Sequence, residues 1–287
     1  CIMKKILVTG GVGFIGLNLI KKLIENGYHV TSLDNYSTGN KLNEIERVNY
    51  LDLDIEEILN IKEKDFDICF HLAGQSRVQP SFDDPQESLR VNVNGTIKVM
   101  EWAKKNNTKV IYAGSSSKHH DPSDSPYAMS KFLGEEVCKL YRKSFNVNVE
   151  ISRFYNVYGP YENIDEKYGN VIGIWRAKVK ENKPLTIVGD GKQKRDFTHV
   201  DDIVDGLIKI AMSEHKHQDA WEIGSGVNYS VNDLFNMFKE RFNATSEHIE
   251  DQPGNYRETL RVNDDLIEKL NWQPKDRLKD YINSLNL

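Results

Sequence analysis

A doubly wound α/β fold, a parallel sheet covered by helices on both faces, is what the sequence predicts, and three observations predict it. Short β-branched runs alternate with amphipathic helical stretches through the first half of the chain. A glycine-rich turn, "TGGVGFIG", joins the first such run to the first helical stretch. The run "KVIYAGSSS" ends on small polar residues, at the strand end where such sheets place their ligands.

The elements follow in order. "KKILVTG" (4–10) and "YHVTSLD" (28–34) read as strands flanking a helix over Phe14–Asn26. "VNYLDLD", "FDICFHLAG" and "KVIYAGSS" are further strands, and one helix is expected from about Pro85 to Lys105. "SPYAMSKFLGEEVCKLYRKSF" is an amphipathic helix with Ser125 placed as its N-cap, followed by a strand in "NVEISRFY". Strands separated by helices need crossover connections, hence parallel pairing. Past Gly159 the rhythm loosens. A polar loop, a helix over Asn170–Lys180 and a short strand in "PLTIVGDG" lead to a helix in "FTHVDDIVDGLIKIAMSE", with Asp201 or Asp202 as its cap. "AWEIGSG" is a last sheet strand. The expected division is a sheet domain of residues 1–159 plus about 195–225, and a smaller discontinuous domain of about 160–194 plus 226–287.

Composition narrows the function classes. With 38 Lys and Arg against 43 Asp and Glu, the net charge is −5, so there is no basic footprint for nucleic acid or an anionic membrane. No apolar stretch approaches the ~20 residues of a membrane helix. Cys1, Cys69 and Cys138 lie far apart without C-x-x-C spacing, as in reduced thiols of a cytoplasmic protein. "CIMKKILVTGG" runs straight into a strand without a cleavage site, so no secretory leader is expected and Met3 reads as the natural start. No histidine cluster has metal-ligand spacing, and no metal is expected.

Gly10, Gly13 and Gly16 give G-x-x-G-x-x-G between a strand and a helix. Glycines there permit a tight turn and close approach to a pyrophosphate, which the helix N-terminus attracts. Asp34 ends the next strand, near the ~20-residue offset of the acid that binds adenosine ribose hydroxyls. A carboxylate there repels a 2′-phosphate, which favours NAD over NADP.

Tyr127 and Lys131 stand four apart at a helix start and share a face. Of 13 tyrosines, Tyr127 is the one with a lysine four residues on. An ammonium beside the ring would lower the phenol's pKa, as a positive nicotinamide also would, and fit it as a general base. A serine of the preceding strand end could hold the reacting oxygen.

The ordered motifs "TGGVGFIG", "LDNYSTGN", "HLAGQSRV", "VNVNGT", "YAGSSS", "PYAMSK", "SRFYNVYGP", "GDGKQKRDFTHVDD" and "EIGSG" span nearly the whole chain. They resemble the extended short-chain dehydrogenase/reductase family, in its nucleotide-sugar epimerase/dehydratase branch. The resemblance implies an NAD-binding Rossmann domain and a smaller domain that grips a nucleotide sugar. By motif match, Gly10, Gly13, Phe14, Ile15 and Gly16 would hold the pyrophosphate, and Asp34, Asn35 and Ser37 the adenosine ribose. Asp54 and Ile55 would sit by the adenine, Leu72, Ala73, Gly74 and Gln75 along the nucleotide, and Asn92 near the nicotinamide. Ser115, Tyr127 and Lys131 would be catalytic. Ser116, Ser117, Asn156 and Asn170 would face the substrate, and Arg195 its diphosphate. A homodimer packed through helices at about Glu87–Lys105 and Tyr127–Phe145 is also implied.

Departures from the family pattern are local. The loop from Ser117 to Tyr127 is short, and His119 replaces a tyrosine, so this loop is expected to carry the substrate's identity. Gln252 of "DQPGN" stands where a second diphosphate arginine is usual, and Arg257 is expected to compensate. Ser115 is followed by Ser116 and Ser117 rather than by the Asp-Glu pair of the dehydratases or the Thr-Ser-Glu arrangement of the decarboxylases. The resemblance therefore implies a 4-epimerase of a UDP-hexose or its N-acetyl or uronic derivative, working by transient oxidation at C4. The alternatives are an NAD(H)-dependent reductase or dehydrogenase, a dehydratase, and a catalytically silent dinucleotide-binding regulator.

Overall fold

The computed structural model describes residues 4–287; Cys1 and the expected start, Met3, lie outside them. Its strands are β1 (Lys5–Thr9), β2 (His29–Asp34), β3 (Asn49–Asp52), β4 (Ile68–His71), β5 (Lys109–Ser115), β6 (Val149–Phe154) and β7 (Val157–Tyr158). There follow β8 (Leu185–Val188), β9 (Lys194–Asp196), β10 (Thr198–His199), β11 (Trp221–Ile223), β12 (Asn228–Ser230) and β13 (Ser246–Ile249). The helices are α1 (Phe14–Glu25), α2 (Val78–Asp83), α3 (Pro85–Leu89), α4 (Gly95–Asn106) and α5 (Pro126–Phe145). After them come α6 (Val171–Lys180), α7 (Val200–Met212), α8 (Val231–Phe242), α9 (Asp265–Leu270) and α10 (Leu278–Ser284).

Seven strands form one sheet in the order β3-β2-β1-β4-β5-β6-β11, every pair parallel. The order reverses between β1 and β4, where Thr9 lies opposite His71, and a crevice opens there at the carboxyl ends. Along β1 the side chains alternate, as the two-residue period requires. Ile6 and Val8 pack with α1 and α7, whereas Leu7 packs with α4 and α5. Both faces are thus covered, which is why the strands read as unbroken apolar runs.

A third core, built from α6, β8, α8 and α10, centres on Trp175, Leu185, Leu234, Phe238 and Leu278. The tail does not all belong to it. Leu266 of α9 and Trp272 return to the core under the main sheet, and Trp272 Nε1 donates to the Asp202 carbonyl at 2.9 Å.

Two local expectations change. The helix expected over Pro85–Lys105 is interrupted, because Arg90–Asn94 form a π-helical turn between α3 and α4. Such turns accompany functional sites, and this one carries Asn92. The cap of α7 is His199, whose Nδ1 accepts from Asp201 N–H at 3.2 Å. Asp201 and Asp202 sit instead in the first turn and bind Arg277.

Candidate functional site

A cleft of about 1260 Å³ runs along the carboxyl ends of the central strands. A single small ligand fills roughly 300–1,000 Å³, so this space admits a dinucleotide together with a second ligand. Its walls bring together Gly10, Gly13, Phe14, Ile15, Gly16, Asp34, Asn35, Ser37, Asp54 and Ile55. They also include Leu72, Ala73, Gly74, Gln75, Ser115, Ser116, Ser117, Tyr127, Lys131, Asn156 and Arg195. Asn92, Asn170 and Arg257 are outside the lining.

Each glycine of the turn has its own physical reason. Gly10 has φ +73°, and its N–H donates to the Leu33 carbonyl at 2.8 Å. A Cβ on Gly16 would meet the Gly10 carbonyl oxygen at 2.1 Å, so this glycine lets α1 close on the turn. Gly13 has neither constraint: its φ is −77°, and a Cβ there would find only the Gly10 oxygen, at 3.4 Å. It begins α1 with no side-chain cap, leaving free N–H groups beside open space in the cleft. That is a cradle for a pyrophosphate, and the residues present fit NAD.

The Asp34 carboxylate accepts from Val12 N–H at 3.1 Å and Tyr36 N–H at 2.9 Å. Burial raises its pKa, partly offset by those two bonds. A carboxylate has about four lone-pair sites, so two remain for ribose hydroxyls. Asn35 donates to Asp54 at 3.1 Å and accepts from Ser37 N–H at 3.1 Å. Asp54 is mainly structural: both its oxygens are held by Arg90, at 3.0 and 3.1 Å, which keeps its carboxyl below the usual range. Asn92 stands one layer behind the lining. It accepts from Gln75 N–H at 2.8 Å and donates to the Gln75 carbonyl and to Ser130 Oγ, so it positions the 74–75 loop.

The Tyr127 hydroxyl donates to Ser115 Oγ at 3.2 Å, and Ser117 N–H donates to the same oxygen at 3.2 Å. Ser125 does cap α5, through Ala128 N–H at 3.0 Å. Lys131 Nζ donates to the Ala113 carbonyl at 3.0 Å, and burial lowers its pKa to about 8. The expected lowering of the Tyr127 pKa is absent from this arrangement. Burial raises it, against opposing effects of the Ser115 bond and of the Arg77 guanidinium.

The substrate side departs further from expectation. Arg257 points to Asp190, 3.2 Å away, on the exposed surface. Asn170 is consumed as the cap of α6: its Oδ1 accepts from Gly173 N–H, and its Nδ2 donates to the Val157 carbonyl and Glu162. His119 turns away from the cleft to Glu222, at 2.9 Å, joining a buried network with Arg153 and Tyr155. Arg195 forms no salt bridge with Asp196, Asp201 or Asp202; it donates to Asn255 Oδ1 at 2.6 Å and to the Lys194 carbonyl. Burial lowers its pKa to about 10, and at neutral pH it remains charged. Asn156 Oδ1 accepts from Thr259 at 3.0 Å.

Sequence reasoning missed Tyr256 and Arg77, both in the lining. Tyr256 stacks on His120 at 3.8 Å, and its buried hydroxyl has no partner. The Ser117 hydroxyl is likewise buried and unpartnered. Both hydroxyls belong to lining residues but are themselves closed off from the cleft. Among the described residues no group of acidic, histidine or cysteine side chains could hold a metal, and no helix is long and apolar enough to cross a membrane.

Comparison with known proteins agrees with this geometry. The family model described as "NAD dependent epimerase/dehydratase family" matches residues 6–224. A putative UDP-glucose 4-epimerase of Methanocaldococcus jannaschii is 36% identical, covering 96% of this chain and 95% of the relative. UDP-glucuronic acid decarboxylase 1 of Arabidopsis thaliana is 29% identical, over 96% of this chain and 67% of the relative. A UDP-glucose 4-epimerase of Thermotoga maritima, solved with UDP-glucose, superposes with a TM-score of 0.90 at 28% identity, over 97% of this chain and 96% of that one. Motifs, fold and matches converge: the chain belongs to the NAD-dependent epimerase/dehydratase family and is an NAD-dependent nucleotide-sugar epimerase.

Proposed function

We propose that this chain interconverts UDP-hexoses that differ at C4. The observation that carries the reading is the Ser115–Tyr127–Lys131 group, with no free carboxylate beside it among the described residues. Elimination of water needs an acid and a base near the leaving hydroxyl. The lining carboxylates Asp83, Glu162 and Glu166 are instead committed to Lys167, Arg176 and Lys178. The 4-epimerase relatives from M. jannaschii and T. maritima support the same reading.

NAD, when bound, supplies a hydride acceptor that can return what it takes. The chain's own part is to move a proton and hold a sugar. Tyr127 acts as the phenolate: having given up its own proton, and with it the bond it donates to Ser115, it takes the proton of the 4-hydroxyl and later returns it. Ser115 Oγ, still accepting from Ser117 N–H, directs its own proton to the same sugar oxygen. Lys131, pinned on the Ala113 carbonyl, keeps positive charge on the side where phenolate forms. Arg195 holds the diphosphate, since its planar fork suits phosphate oxygens. Ser116, Ser117, Asn156 and Tyr256 face the sugar and uridine, and the third core with its loops forms the grip. The helices at about Glu87–Lys105 and Tyr127–Phe145 form the homodimer face, where Leu140 and Phe145 are exposed. A clean monomer in sedimentation at micromolar concentration would remove that last element.

Proton NMR of UDP-glucose, UDP-N-acetylglucosamine, UDP-glucuronic acid and GDP-mannose with the purified protein tests the proposal. The C4 epimer of a UDP-sugar should form without added cofactor, and not with Tyr127→Phe. A need for stoichiometric NAD or NADH would assign net redox chemistry instead, and no conversion at all would leave the silent regulator.

A further inference from the structure

Three cations line the cleft with no carboxylate in salt-bridge range among the described residues: Arg77, Lys131 and Arg195. The other two lining cations, Lys167 and Lys178, are paired with acids. Lys131 belongs to Tyr127 and Arg195 to the diphosphate in the function proposed above. Arg77 is left over.

Its surroundings fix it in place. Arg77 Nε donates to the Tyr168 carbonyl at 2.7 Å, and its two terminal nitrogens, without a protein partner, are open to the cleft. The loop that bears it is bolted to the catalytic helix, because Tyr127 N–H donates to Ser81 Oγ at 3.0 Å. The charges that influence Arg77 are Tyr127 and Glu162, and Glu162 is already held by Arg176 at 2.9 Å. Arg195 is tied instead to Asn255, another residue of the lining. With Arg195 assigned to the diphosphate in the function proposed above, Arg77 is left for another group of the ligand. The loop of Arg77 is hydrogen-bonded to the start of the helix that carries Tyr127, so Arg77 is offered to the part of the ligand that meets Tyr127.

A guanidinium closed over by a neutral hexose would be a buried charge without a counter-ion, which is costly. A carboxylate matches its free pair of N–H groups. We infer that Arg77 binds a carboxylate on the hexose, on the carbon next to the one epimerised, so that the preferred substrate is a UDP-hexuronic acid. This rests on the UDP-hexose 4-epimerase reading.

The test compares UDP-glucuronic acid with UDP-glucose and UDP-N-acetylglucosamine, using wild-type protein, Arg77→Gln and Arg77→Lys. Turnover is followed by NMR and binding by calorimetry on the NAD-loaded protein. The wild type should prefer the uronate in kcat/KM. Arg77→Gln should lower the uronate-to-neutral ratio on the order of a hundredfold, as expected when one partner of a desolvated charge pair is removed, and Arg77→Lys should restore part of it. Equal losses for acidic and neutral sugars, or a wild-type preference for a neutral one, overturn the inference while leaving the epimerase standing. If no sugar is turned over, the epimerase reading fails. Calorimetry then still decides Arg77, because tighter binding of the uronate must disappear in Arg77→Gln.

Discussion

Replacing Gly13 by alanine and, separately, Gly16 by alanine should divide cofactor binding from folding. At Gly13 the backbone, with φ −77° and ψ 174°, suits alanine, and the new Cβ would make one ordinary contact at 3.4 Å. Restricting the unfolded chain gains about 0.4–1 kcal/mol. Alanine is a poorer N-cap than glycine by about 0.5–1 kcal/mol. These nearly cancel, so Tm should move by no more than about 3 °C. At Gly16 the Cβ would lie 2.1 Å from the Gly10 oxygen and 2.8 Å from Gly11 Cα, both backbone atoms that cannot swing aside. Overpacking of that kind costs about 1–3 kcal/mol, a fall of roughly 3–10 °C. Calorimetric unfolding gives the stabilities, and titration with NAD gives the affinities. Gly13→Ala should fold as the wild type yet bind NAD about tenfold more weakly or worse, since its methyl fills the space open to the pyrophosphate. Wild-type affinity in Gly13→Ala would refute the cradle.

Tyr127→Phe should reduce turnover by about 10²–10⁴ while leaving NAD affinity within a few-fold, measured by NMR and titration. Lys131→Met should stabilise the cofactor-free protein at pH 7. Burial lowers the Lys131 pKa from 10.5 to about 8, so below pH 8 both folded and unfolded chains hold the proton and the full penalty, about 3 kcal/mol, is present. Between pH 8 and 10.5 the unfolded chain binds more protons, stability rises with pH, and the advantage of methionine should fade in unfolding curves taken across that range. Arg153→Met should cost about 3–5 kcal/mol in denaturant unfolding, because it strands Glu135 and Glu222, both 1% exposed, without their cation. Arg195→Ala should raise the KM for UDP-sugars at least tenfold, whereas Arg257→Ala, on the exposed surface, should leave it within about twofold.

What the sequence could express depended on whether the constraint was local. The glycine turn was legible because its three requirements fall within seven residues, and the pairing of Tyr127 with Lys131 because helix geometry alone brings them to one face. The reading of Arg257 as a diphosphate ligand failed for the opposite reason. The Arg257 side chain pairs with Asp190 on the surface while Tyr256, one residue earlier, lines the cleft, and only the packed fold separates the two. Asn170 shows a second limit, since a capping asparagine and a ligand-facing one have the same letter and only the Gly173 N–H tells them apart. His119 depended on Glu222, 103 residues away, and the rise in the Tyr127 pKa on burial that only the packed fold creates. Arg77 was in plain sight in "HLAGQSRV", but nothing local marks an arginine as lacking a counter-ion.

The charge distribution makes that last residue informative. The chain carries −5 overall, so at long range it repels the anionic ligands its cleft admits. That repulsion is screened within about 8 Å at physiological ionic strength, and the local field decides recognition. Within the cleft, Asp54, Asp83, Glu162 and Glu166 are each neutralised by an arginine or lysine, and Asp34 is held by backbone N–H groups. The glycine turn needs no cation for a pyrophosphate, because helix N–H groups meet it. The three unpaired cations are therefore left for the second ligand. A neutral sugar diphosphate would need only some of them, and keeping a further unpaired guanidinium in the cleft would lower stability without a return in binding. An anion on the sugar removes that contradiction, and it does so at the residue whose loop is hydrogen-bonded to Tyr127 itself.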